Sequence, residues 1–576
     1  MKRLMLGNEA IARGAYEAGV TIATAYPGTP STEITEFVAK YDEIYAEWAP
    51  NEKVAMESAI GASFGGARTI VSMKHVGLNV AADPLFTVSY TGVNGGLVIL
   101  VADDPGMHSS QNEQDTRMIA RAANIPVLEP GDSNESKNFM KLAFELSEKY
   151  DTPIIVRLTT RVSHSQSIVS LKDREEVSLR PYVKDFNKYV MMPGMARKRH
   201  VVVEKRIDTI AQDANDFSFN TVEYNEKKIG IISSGVVYNY AKEAIPQASF
   251  LKLGMVHPLP IDKIKTFARG VEKLYVLEEL EPVIEEQLKS LGIDVIGKEI
   301  FSKQGEYSVN IIREKILGEK NNLKTAGIEL PLRPPVMCPG CPHRGAYYTM
   351  NLLGLHVTGD IGCYTLGALP PLESMDACVC MGASIGMAHG MAKARGNDFA
   401  KKVVAVIGDS TFIHSGITGL VNIVYNQGVS TVVILDNSTT GMTGHQEHPG
   451  TGKTLKGEDA PILNLVELSK SIGIKNVQVV DAFDLEGLKK ILREETEKME
   501  PSVVIVQRPC ALLDKTVKPT FEIFEEKCVQ CGMCLKLGCP AIEKENDRII
   551  INDALCNGCG LCSNVCKLDA IGKAGA

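Results

Sequence analysis

The sequence has little tryptophan, no long apolar run and no excess of basic residues. Trp48 is the only tryptophan among 576 residues, so intrinsic fluorescence would report on one place. The longest apolar stretches, such as residues 95–102, have the length of one strand. A membrane-spanning helix needs about 20 apolar residues. The formal net charge of −8 provides no basic footprint for nucleic acid. We therefore expect neither a membrane protein nor a nucleic-acid-binding protein.

The first nine residues also lack the apolar core and the small-residue cleavage site of a secretory signal. The composition, with 44% hydrophobic and 23% charged residues, excludes a mainly disordered or fibrous chain. The length predicts about three to five domains. We expect a cytoplasmic protein, in which fourteen cysteines indicate metal or redox work rather than disulfide bonds.

Eight of these cysteines lie in two matching runs near the C-terminal end. Each run starts Cys-x-x-Cys-x-x-Cys, which lets three thiolates reach one small inorganic core. The first run is Cys528, Cys531, Cys534 and Cys539, and the second is Cys556, Cys559, Cys562 and Cys566. The pattern predicts that electrons pass through this protein.

The two runs resemble a bacterial-type ferredoxin module with two [4Fe–4S] clusters, in which each cluster takes its fourth thiolate from the other run. The resemblance implies two ligand sets: Cys528, Cys531, Cys534 and Cys566, and Cys556, Cys559, Cys562 and Cys539. Two features depart from the usual pattern. Four residues, not three, separate Cys534 from Cys539, and Lys567 replaces the second proline. Zinc sites and a disulfide framework are the alternatives, but zinc sites usually pair Cys-x-x-Cys units.

The rest of the chain alternates short apolar strands with helical patterns, which predicts α/β domains with parallel sheets. We predict one domain over residues 1–165 and a polar connector over 166–224, whose basic stretch 197–200 is expected to face solvent. A smaller α/β domain follows over 225–330, a Pro-rich boundary lies at 331–335, and a third domain spans 331–515. The cysteine-rich module occupies 520–576.

In the third domain, two predicted strands run into polar residues. The strand at 403–407 leads into Gly408-Asp409-Ser410, and the strand at 431–435 leads into Asp436-Asn437-Ser438-Thr439. Ligands bind at the carboxyl edge of such sheets, and oxygens of Asp409 and Asn437 suit Mg²⁺. The segments resemble the thiamine diphosphate motif, with Ser410 and Asp436 as departures. The resemblance implies that Asp409, Asn437 and the Thr439 carbonyl hold Mg²⁺ and that Gly408 and Ser410 help to bind the diphosphate.

The first domain carries two segments that resemble the other half of a thiamine site. Residues 51–63 resemble the helix that bears the glutamate that activates thiamine, which implies Glu52, with Glu57 as the fallback. Residues 26–32 are similar to the Tyr-Pro-x-Thr-Pro-Ser turn of 2-oxoacid:ferredoxin oxidoreductases. In that family the threonine faces the substrate carboxylate, which implies Thr29. A solvated glutamate and a plain tight turn are the alternatives.

Four further cysteines resemble the ligands of the cofactor-proximal [4Fe–4S] cluster of the same oxidoreductases. They are Cys338, Cys341, Cys363 and Cys510. A structural or zinc-binding Cys-x-x-Cys stays open as an alternative, as does a family member that keeps the cysteines without the cluster.

The order of these segments over nearly the whole chain resembles the large (alpha) subunits of indolepyruvate:ferredoxin oxidoreductases, as do residues 104–113 and 436–446. The resemblance implies two thiamine-diphosphate domains, a transketolase-C-terminal-like α/β domain at 225–330 and the ferredoxin module. It implies oxidative decarboxylation of arylpyruvates with coenzyme A, giving an aryl-acetyl-CoA, CO₂ and reduced ferredoxin. It also implies thiamine diphosphate, Mg²⁺, two or three [4Fe–4S] clusters, a smaller beta subunit, an external ferredoxin and a dimer of heterodimers.

Three alternatives to this function stay open. The first is the same reaction on pyruvate or 2-oxoglutarate. The second is a non-oxidative thiamine-dependent decarboxylase, which would not need so many thiolates. The third is an electron-transfer subunit whose thiamine fold binds no cofactor.

Overall fold

Strands rich in Val, Ile and Leu alternate with helices through most of the chain, as the sequence predicts. The structure is a computed structural model that describes residues 1–319, 327–331 and 333–575. The predicted boundary at 331–335 therefore lies partly outside the described residues. The chain forms two compact units, Met1–Gly327 and Ile328–Ala576.

The first unit contains a seven-stranded sheet, here called the first sheet. Its strands, in spatial order, are Met255–His257, Val127–Leu128, Ile154–Thr159, Leu97–Asp103, Thr69–Lys74, Ile22–Ala25 and Tyr45–Trp48. Only Met255–His257 runs antiparallel to its neighbour. The central strand Leu97–Asp103 is buried at every residue because helices cover both faces of a parallel sheet. The helices of this region are Gly7–Glu17, Thr32–Val38, Glu52–Phe64, His75–Val80, Ala82–Thr91, Thr116–Ala122, Ser133–Tyr150 and Thr160–His164.

The predicted connector contains a short strand, Gln166–Ser170, paired with Lys2–Leu6, and two helices, Phe186–Tyr189 and Pro193–Asp213. The expectation that the whole basic stretch faces solvent is wrong for one residue. Arg199 donates a hydrogen bond to the Tyr90 carbonyl at 2.6 Å and lies 3.2 Å from Asp151. Its side chain therefore fastens the long helix to the first sheet's domain.

A four-stranded second sheet follows, with the order Lys273–Leu277, Glu226–Ser234, Ala248–Leu253 and Thr221–Glu223. Its helices are Gly235–Ala244, Ile261–Arg269, Val283–Ser290 and Val309–Leu317. A buried ion network joins the first and second sheets. Arg117, 1% exposed, lies 2.6 Å from Asp115 and 2.8 Å from Glu278. Burial alone would raise the pKa of Asp115, but the charges of Arg117 and Arg157 lower it to about 2. The carboxylate therefore stays ionised inside the protein.

The second unit contains a third sheet of five parallel strands. Their order is His356–Thr358, Val403–Gly408, Thr431–Asp436, Ser502–Gln507 and Asn476–Asp481. The helices are His343–Leu352, Cys363–Ala368 (a 3₁₀ turn), Ala383–Arg395, Asn397–Ala400, Asp409–Thr411, Phe412–Gly416 (a π turn), Ile417–Tyr425, Leu465–Ile472 and Leu485–Thr496. Gly408 pairs with Leu435, so the two strands that were expected to carry the Mg²⁺ ligands end side by side.

The C-terminal part of the second unit consists of two short antiparallel pairs and two 3₁₀ turns. The pairs are Phe521–Ile523 with Ile571–Lys573 and Ile542–Glu545 with Arg548–Ile551, and the turns are Met533–Leu537 and Ser563–Val565. The core of this part is small and contains thiols beside isoleucines. No helix among the described residues is both long and apolar enough to cross a membrane.

Candidate active site

In the first unit, Glu52 is a buried acid at the start of a helix. The helix Glu52–Phe64 begins there because the Asn51 side chain accepts a hydrogen bond from Val54 N–H at 2.9 Å. Glu52 is 4% exposed, and a Cβ atom built on Gly77 would lie 2.6 Å from its Oε1. The fallback residue differs: Glu57 is 46% exposed and pairs with Lys53 on the surface. The burial and close packing of Glu52 favour it as the functional acid.

The turn that carries Thr29 lies beside the carboxyl edge of the first sheet. The Ser31 N–H and hydroxyl both donate to the Gly28 carbonyl, at 2.8 and 2.7 Å, which fixes the turn. The Ser109 hydroxyl donates to the Thr29 carbonyl at 3.2 Å. Ser109 also donates its N–H to Asp104 at 2.8 Å. The segment 104–113, noted for its resemblance, is thereby joined to the Thr29 turn.

Lys74 completes this site, and the sequence analysis missed it. It ends the strand Thr69–Lys74, its Nζ donates to the Ser109 carbonyl at 2.9 Å, and its stem lies 3.4 Å from a Cβ built on Gly28. Burial lowers the pKa of Lys74 to about 8, against the raising effect of Asp104 and Glu52. No carboxylate among the described residues lies within ion-pair distance of its ammonium. The sequence did contain a signal for Lys74, because a lysine that ends a buried strand lies at the carboxyl edge of the sheet, where ligands bind.

In the second unit, the three predicted Mg²⁺ ligands converge. Asp409, Asn437 and Thr439 are 3%, 6% and 4% exposed. One end of the Asn437 amide lies 2.9 Å from the Thr439 carbonyl oxygen and 3.2 Å from Asp409 Oδ1. With the amide oxygen at that end, three oxygens face one another without a donor between them. Such a convergence of hard oxygens fits a cation such as Mg²⁺.

Backbone amides hold Asp409 in this position. Its Oδ1 accepts from Ser410 N–H at 2.8 Å, and its Oδ2 accepts from Ser438 N–H at 2.9 Å. The Ser410 hydroxyl accepts a hydrogen bond from Thr440 at 2.9 Å. His448, which the sequence analysis did not identify, places Nε2 3.3 Å from Asp409 Oδ2. The carboxylate is therefore oriented from both strands before any ligand arrives.

The four cysteines predicted for the proximal cluster gather next to these oxygens. The pKa of Cys341 is raised to about 12 by burial and by the nearby thiols of Cys363 and Cys338. Burial and the charges of Cys510 and Cys338 likewise raise the pKa of Cys363 to about 11. Cys510 N–H donates to the Asn437 carbonyl at 2.9 Å. The four thiols therefore lie near one another beside these oxygens, and thiolates are the ligands of iron–sulfur clusters.

The eight C-terminal cysteines lie close together in this part of the chain, and their division into two ligand sets stays a prediction. One cavity is lined by four thiols, those of Cys539, Cys556, Cys559 and Cys562. Burial raises the pKa of Cys534, with smaller contributions from Cys531 and Cys528, and Cys534 shares an apolar cluster with Cys539, Cys562 and Cys566. In the described ranges 1–319, 327–331 and 333–575, no three His, Cys, Asp or Glu side chains stand close enough to hold one metal ion.

Two family profiles match the chain. Residues 13–230 match "Pyruvate flavodoxin/ferredoxin oxidoreductase, thiamine diP-bdg", and residues 360–506 match "Thiamine pyrophosphate enzyme, C-terminal TPP binding domain". Thiamine diphosphate is therefore the cofactor that both halves of the fold indicate. The first match contains Glu52, Thr29 and Lys74, and the second contains the converging oxygens.

Proteins from other organisms are similar to this chain over nearly its full length. The indolepyruvate oxidoreductase subunit IorA of Archaeoglobus fulgidus is 40% identical over 99% of this chain and 97% of its own. The protein of the same name from Pyrococcus abyssi is 41% identical over 99% and 96%. A solved 2-oxoglutarate:ferredoxin oxidoreductase from Magnetococcus marinus has a TM-score of 0.47 at 17% identity, and the match covers 55% of this chain and 65% of that one. This similarity is too low to support a conclusion.

Proposed function

The chain belongs to the family of the indolepyruvate oxidoreductase subunit IorA, and from that premise we propose that it oxidatively decarboxylates arylpyruvates of the indolepyruvate type. The reaction consumes coenzyme A and oxidised ferredoxin and gives an aryl-acetyl-CoA, CO₂ and reduced ferredoxin. One observation favours an oxidative over a non-oxidative thiamine enzyme. A Cβ built on Gly441 would lie 3.4 Å from the Cys363 thiol and 3.5 Å from the Asn437 amide. A thiol cluster thus lies next to the diphosphate-binding oxygens, where an electron acceptor is needed.

The domain assignment follows from the same family. Residues 1–165 are the pyrimidine-binding thiamine domain, 166–224 the connector and 225–330 the transketolase-C-terminal-like domain. Residues 331–515 are the diphosphate-binding domain, and 520–576 are the ferredoxin domain with two [4Fe–4S] clusters. The small thiol-containing core and two antiparallel strand pairs of the last segment support this assignment.

The second unit holds the diphosphate end of the cofactor. Asp409, Asn437 and the Thr439 carbonyl bind Mg²⁺, and Gly408 and Ser410 approach the phosphates. Backbone amides already donate to both oxygens of Asp409, so little reorganisation is needed when the cation binds. When bound, thiamine diphosphate supplies a nucleophilic carbon that attacks the oxo group and stabilises the negative charge left by loss of CO₂.

The first unit contributes the acid and the substrate-binding groups. Glu52 is the group that would donate a hydrogen bond to the pyrimidine ring and help the cofactor to lose its proton. Thr29 faces the substrate carboxylate, and Lys74 provides the positive charge that this carboxylate needs. A buried ammonium with two unused N–H donors and no ion-pair partner among the described residues is suited to that role.

Three [4Fe–4S] clusters, held by the twelve predicted cysteines, would carry the electrons away from the cofactor. The first is held by Cys338, Cys341, Cys363 and Cys510. The other two are held by Cys556, Cys559, Cys562 and Cys539 and by Cys528, Cys531, Cys534 and Cys566. Two single-electron transfers match the two electrons that the oxidation releases.

The relatives are named as subunits, and this chain acts with a smaller beta subunit, as a dimer of heterodimers that reduces an external ferredoxin. A substrate panel tests the proposal. The anaerobically purified complex is mixed with ferredoxin, coenzyme A and either indolepyruvate, pyruvate or 2-oxoglutarate. We expect ferredoxin reduction to be fastest with indolepyruvate. Faster reduction with pyruvate or 2-oxoglutarate would overturn the substrate class, and aldehyde release without ferredoxin reduction would overturn the oxidative reaction.

A further inference from the structure

Arg344 is a buried arginine with no acidic partner. It follows the Cys338-x-x-Cys341 segment in the helix His343–Leu352 and is 2% exposed. No carboxylate among the described residues lies within ion-pair distance of its guanidinium. A buried, unpaired charge is costly unless its N–H groups are satisfied in another way. The structure therefore has to account for all five donors of this side chain.

Four backbone carbonyls from two distant segments accept hydrogen bonds from four of these five donors. Nη2 donates to the Met337 carbonyl and Nε to the Cys338 carbonyl at 3.3 Å. Nη1 donates to the Leu537 carbonyl at 3.0 Å and also to the Gly538 carbonyl. The carbonyls of Met337 and Cys338 lie at the start of the Cys338-x-x-Cys341 segment, and those of Leu537 and Gly538 immediately precede Cys539. The planar fork of arginine suits this arrangement, which a lysine could not reproduce.

The unusual spacing in the first C-terminal run supplies the second pair of carbonyls. Four residues separate Cys534 from Cys539, one more than in the usual ferredoxin pattern. The 3₁₀ turn Met533–Leu537 ends at Gly538, whose φ is +64°. This left-handed conformation favours glycine, and a Cβ there would lie 3.3 Å from Arg344 Nη1. Two successive carbonyls of this four-residue segment therefore accept hydrogen bonds from Arg344.

A second contact joins the same two segments. Asn557 Nδ2 donates to the Pro339 carbonyl at 3.1 Å, and a Cβ on Gly340 would lie 2.2 Å from that nitrogen. Pro339, Gly340 and Arg344 also line the cavity bounded by the thiols of Cys539, Cys556, Cys559 and Cys562. The guanidinium charge is therefore near thiols of both predicted clusters, those of Cys338 and Cys341 on one side and of Cys539 and Cys559 on the other.

We propose that Arg344 is a positioning residue that fastens the cluster at Cys338 to the cluster at Cys539 and holds both at a higher reduction potential. The proposal rests on the proposed function, because it needs both clusters. Nearby positive charge stabilises the extra electron of a reduced cluster. Each transfer oxidises the first cluster by one electron and reduces the second by one. The hydrogen bonds of Arg344 fix the distance between the two clusters, and its charge affects the driving force for electron transfer between them.

Two variants separate these effects. Arg344→Met removes charge and hydrogen bonds at similar volume, and Arg344→Lys keeps the charge but loses the fork. Arg548→Met, at an exposed residue of the C-terminal part, is the control. The complexes are analysed for iron and thiamine diphosphate, then titrated electrochemically with detection by electron paramagnetic resonance. A rapid-mixing experiment follows the transfer of electrons between the clusters.

We expect the methionine variant to shift the potentials of both clusters to more negative values. Its transfer between the clusters should slow roughly tenfold or more, equivalent to about 1.4 kcal/mol. The lysine variant should keep potentials near those of the wild type but transfer electrons more slowly. Thiamine diphosphate binding should be unchanged in both. If the methionine variant does not assemble, a lysine variant with wild-type transfer rate would refute the fastening role.

Failure of this inference can be told from failure of the proposed function. Unchanged potentials and an unchanged transfer rate in a fully loaded methionine variant would refute the role of Arg344 alone. A wild-type complex with no cluster at Cys338 would overturn the proposed electron path and this inference with it.

Discussion

Replacing Glu52 by glutamine removes one carboxyl group that can transfer a proton. The two side chains have nearly the same shape, so the close packing against Gly77 is kept. The helix start is kept as well, because the Asn51 side chain provides the cap. Iron content and thiamine diphosphate content should therefore stay at wild-type levels.

The expected loss of turnover in Glu52→Gln follows from the proposed role of Glu52 as the acid that activates the cofactor. A positioned acid or base contributes roughly 10²–10⁴-fold to a rate, which is about 3–5 kcal/mol of barrier. Turnover of Glu52→Gln should fall by that factor. Gly77→Ala tests the same contact from the other side, because its Cβ would lie 2.6 Å from Glu52 Oε1. Overpacking of this kind costs roughly 1–3 kcal/mol, and displacement of the carboxylate should lower turnover without loss of iron.

The assay is ferredoxin reduction by the anaerobic complex with saturating indolepyruvate and coenzyme A. Glu57→Gln is the matched control, since it makes the same chemical change on the same helix at a 46% exposed side chain. It should keep wild-type activity. Full activity in Glu52→Gln, or equal losses in both variants, would refute the assignment of Glu52 as the acid that activates the cofactor.

Three further predictions concern charge. Lys74 has a pKa of about 8, so its positive form is lost as pH rises through that value. KM for indolepyruvate should therefore rise between pH 7 and 9. A KM that does not vary with pH, and that Lys74→Met leaves unchanged, would contradict the role of Lys74. Asp409→Ala should abolish Mg²⁺-dependent binding of thiamine diphosphate, measured by equilibrium dialysis, while iron stays constant; unchanged binding would remove Asp409 from the site. Arg117→Met should destabilise the protein by roughly 3–5 kcal/mol, because it leaves the buried Glu278 without its ion-pair partner and Asp115 with only Arg157, at 3.9 Å. Arg548→Met at the surface should change chemical denaturation little, and equal effects of the two variants would contradict the buried network.

Strand positions could be predicted from the sequence because they depend on local patterns. Val403–Gly408 and Thr431–Asp436 begin at the predicted residues and each extends one residue beyond its predicted end. Adjacent strand ends then bring Asp409 and Asn437 together without further information. The roles of these residues stay predictions, but their proximity follows from the topology of parallel sheets.

Other features depend on partners far away in the chain and could not be predicted. Arg199 appears as one residue of a basic surface stretch, yet it binds the Tyr90 carbonyl 109 residues earlier. Lys74 was overlooked because a lysine is usually exposed, whereas here its stem lies against the Gly28 turn and its ammonium donates to the Ser109 carbonyl. The partners of Arg344 at Leu537 and Gly538 lie more than 190 residues away. The four-residue spacing before Cys539 was visible in the sequence, but the contact of this segment with Arg344 was not.

The central claim is that one chain joins thiamine chemistry to iron–sulfur electron transfer. The most direct test is to mix the anaerobic complex with indolepyruvate and coenzyme A, without external ferredoxin, and to follow the oxidation state of its own clusters. We predict about twelve irons and one thiamine diphosphate per chain, the iron corresponding to three four-iron clusters, and reduction of those clusters by the substrate. Bound thiamine diphosphate with clusters that stay oxidised after substrate is consumed would contradict the account.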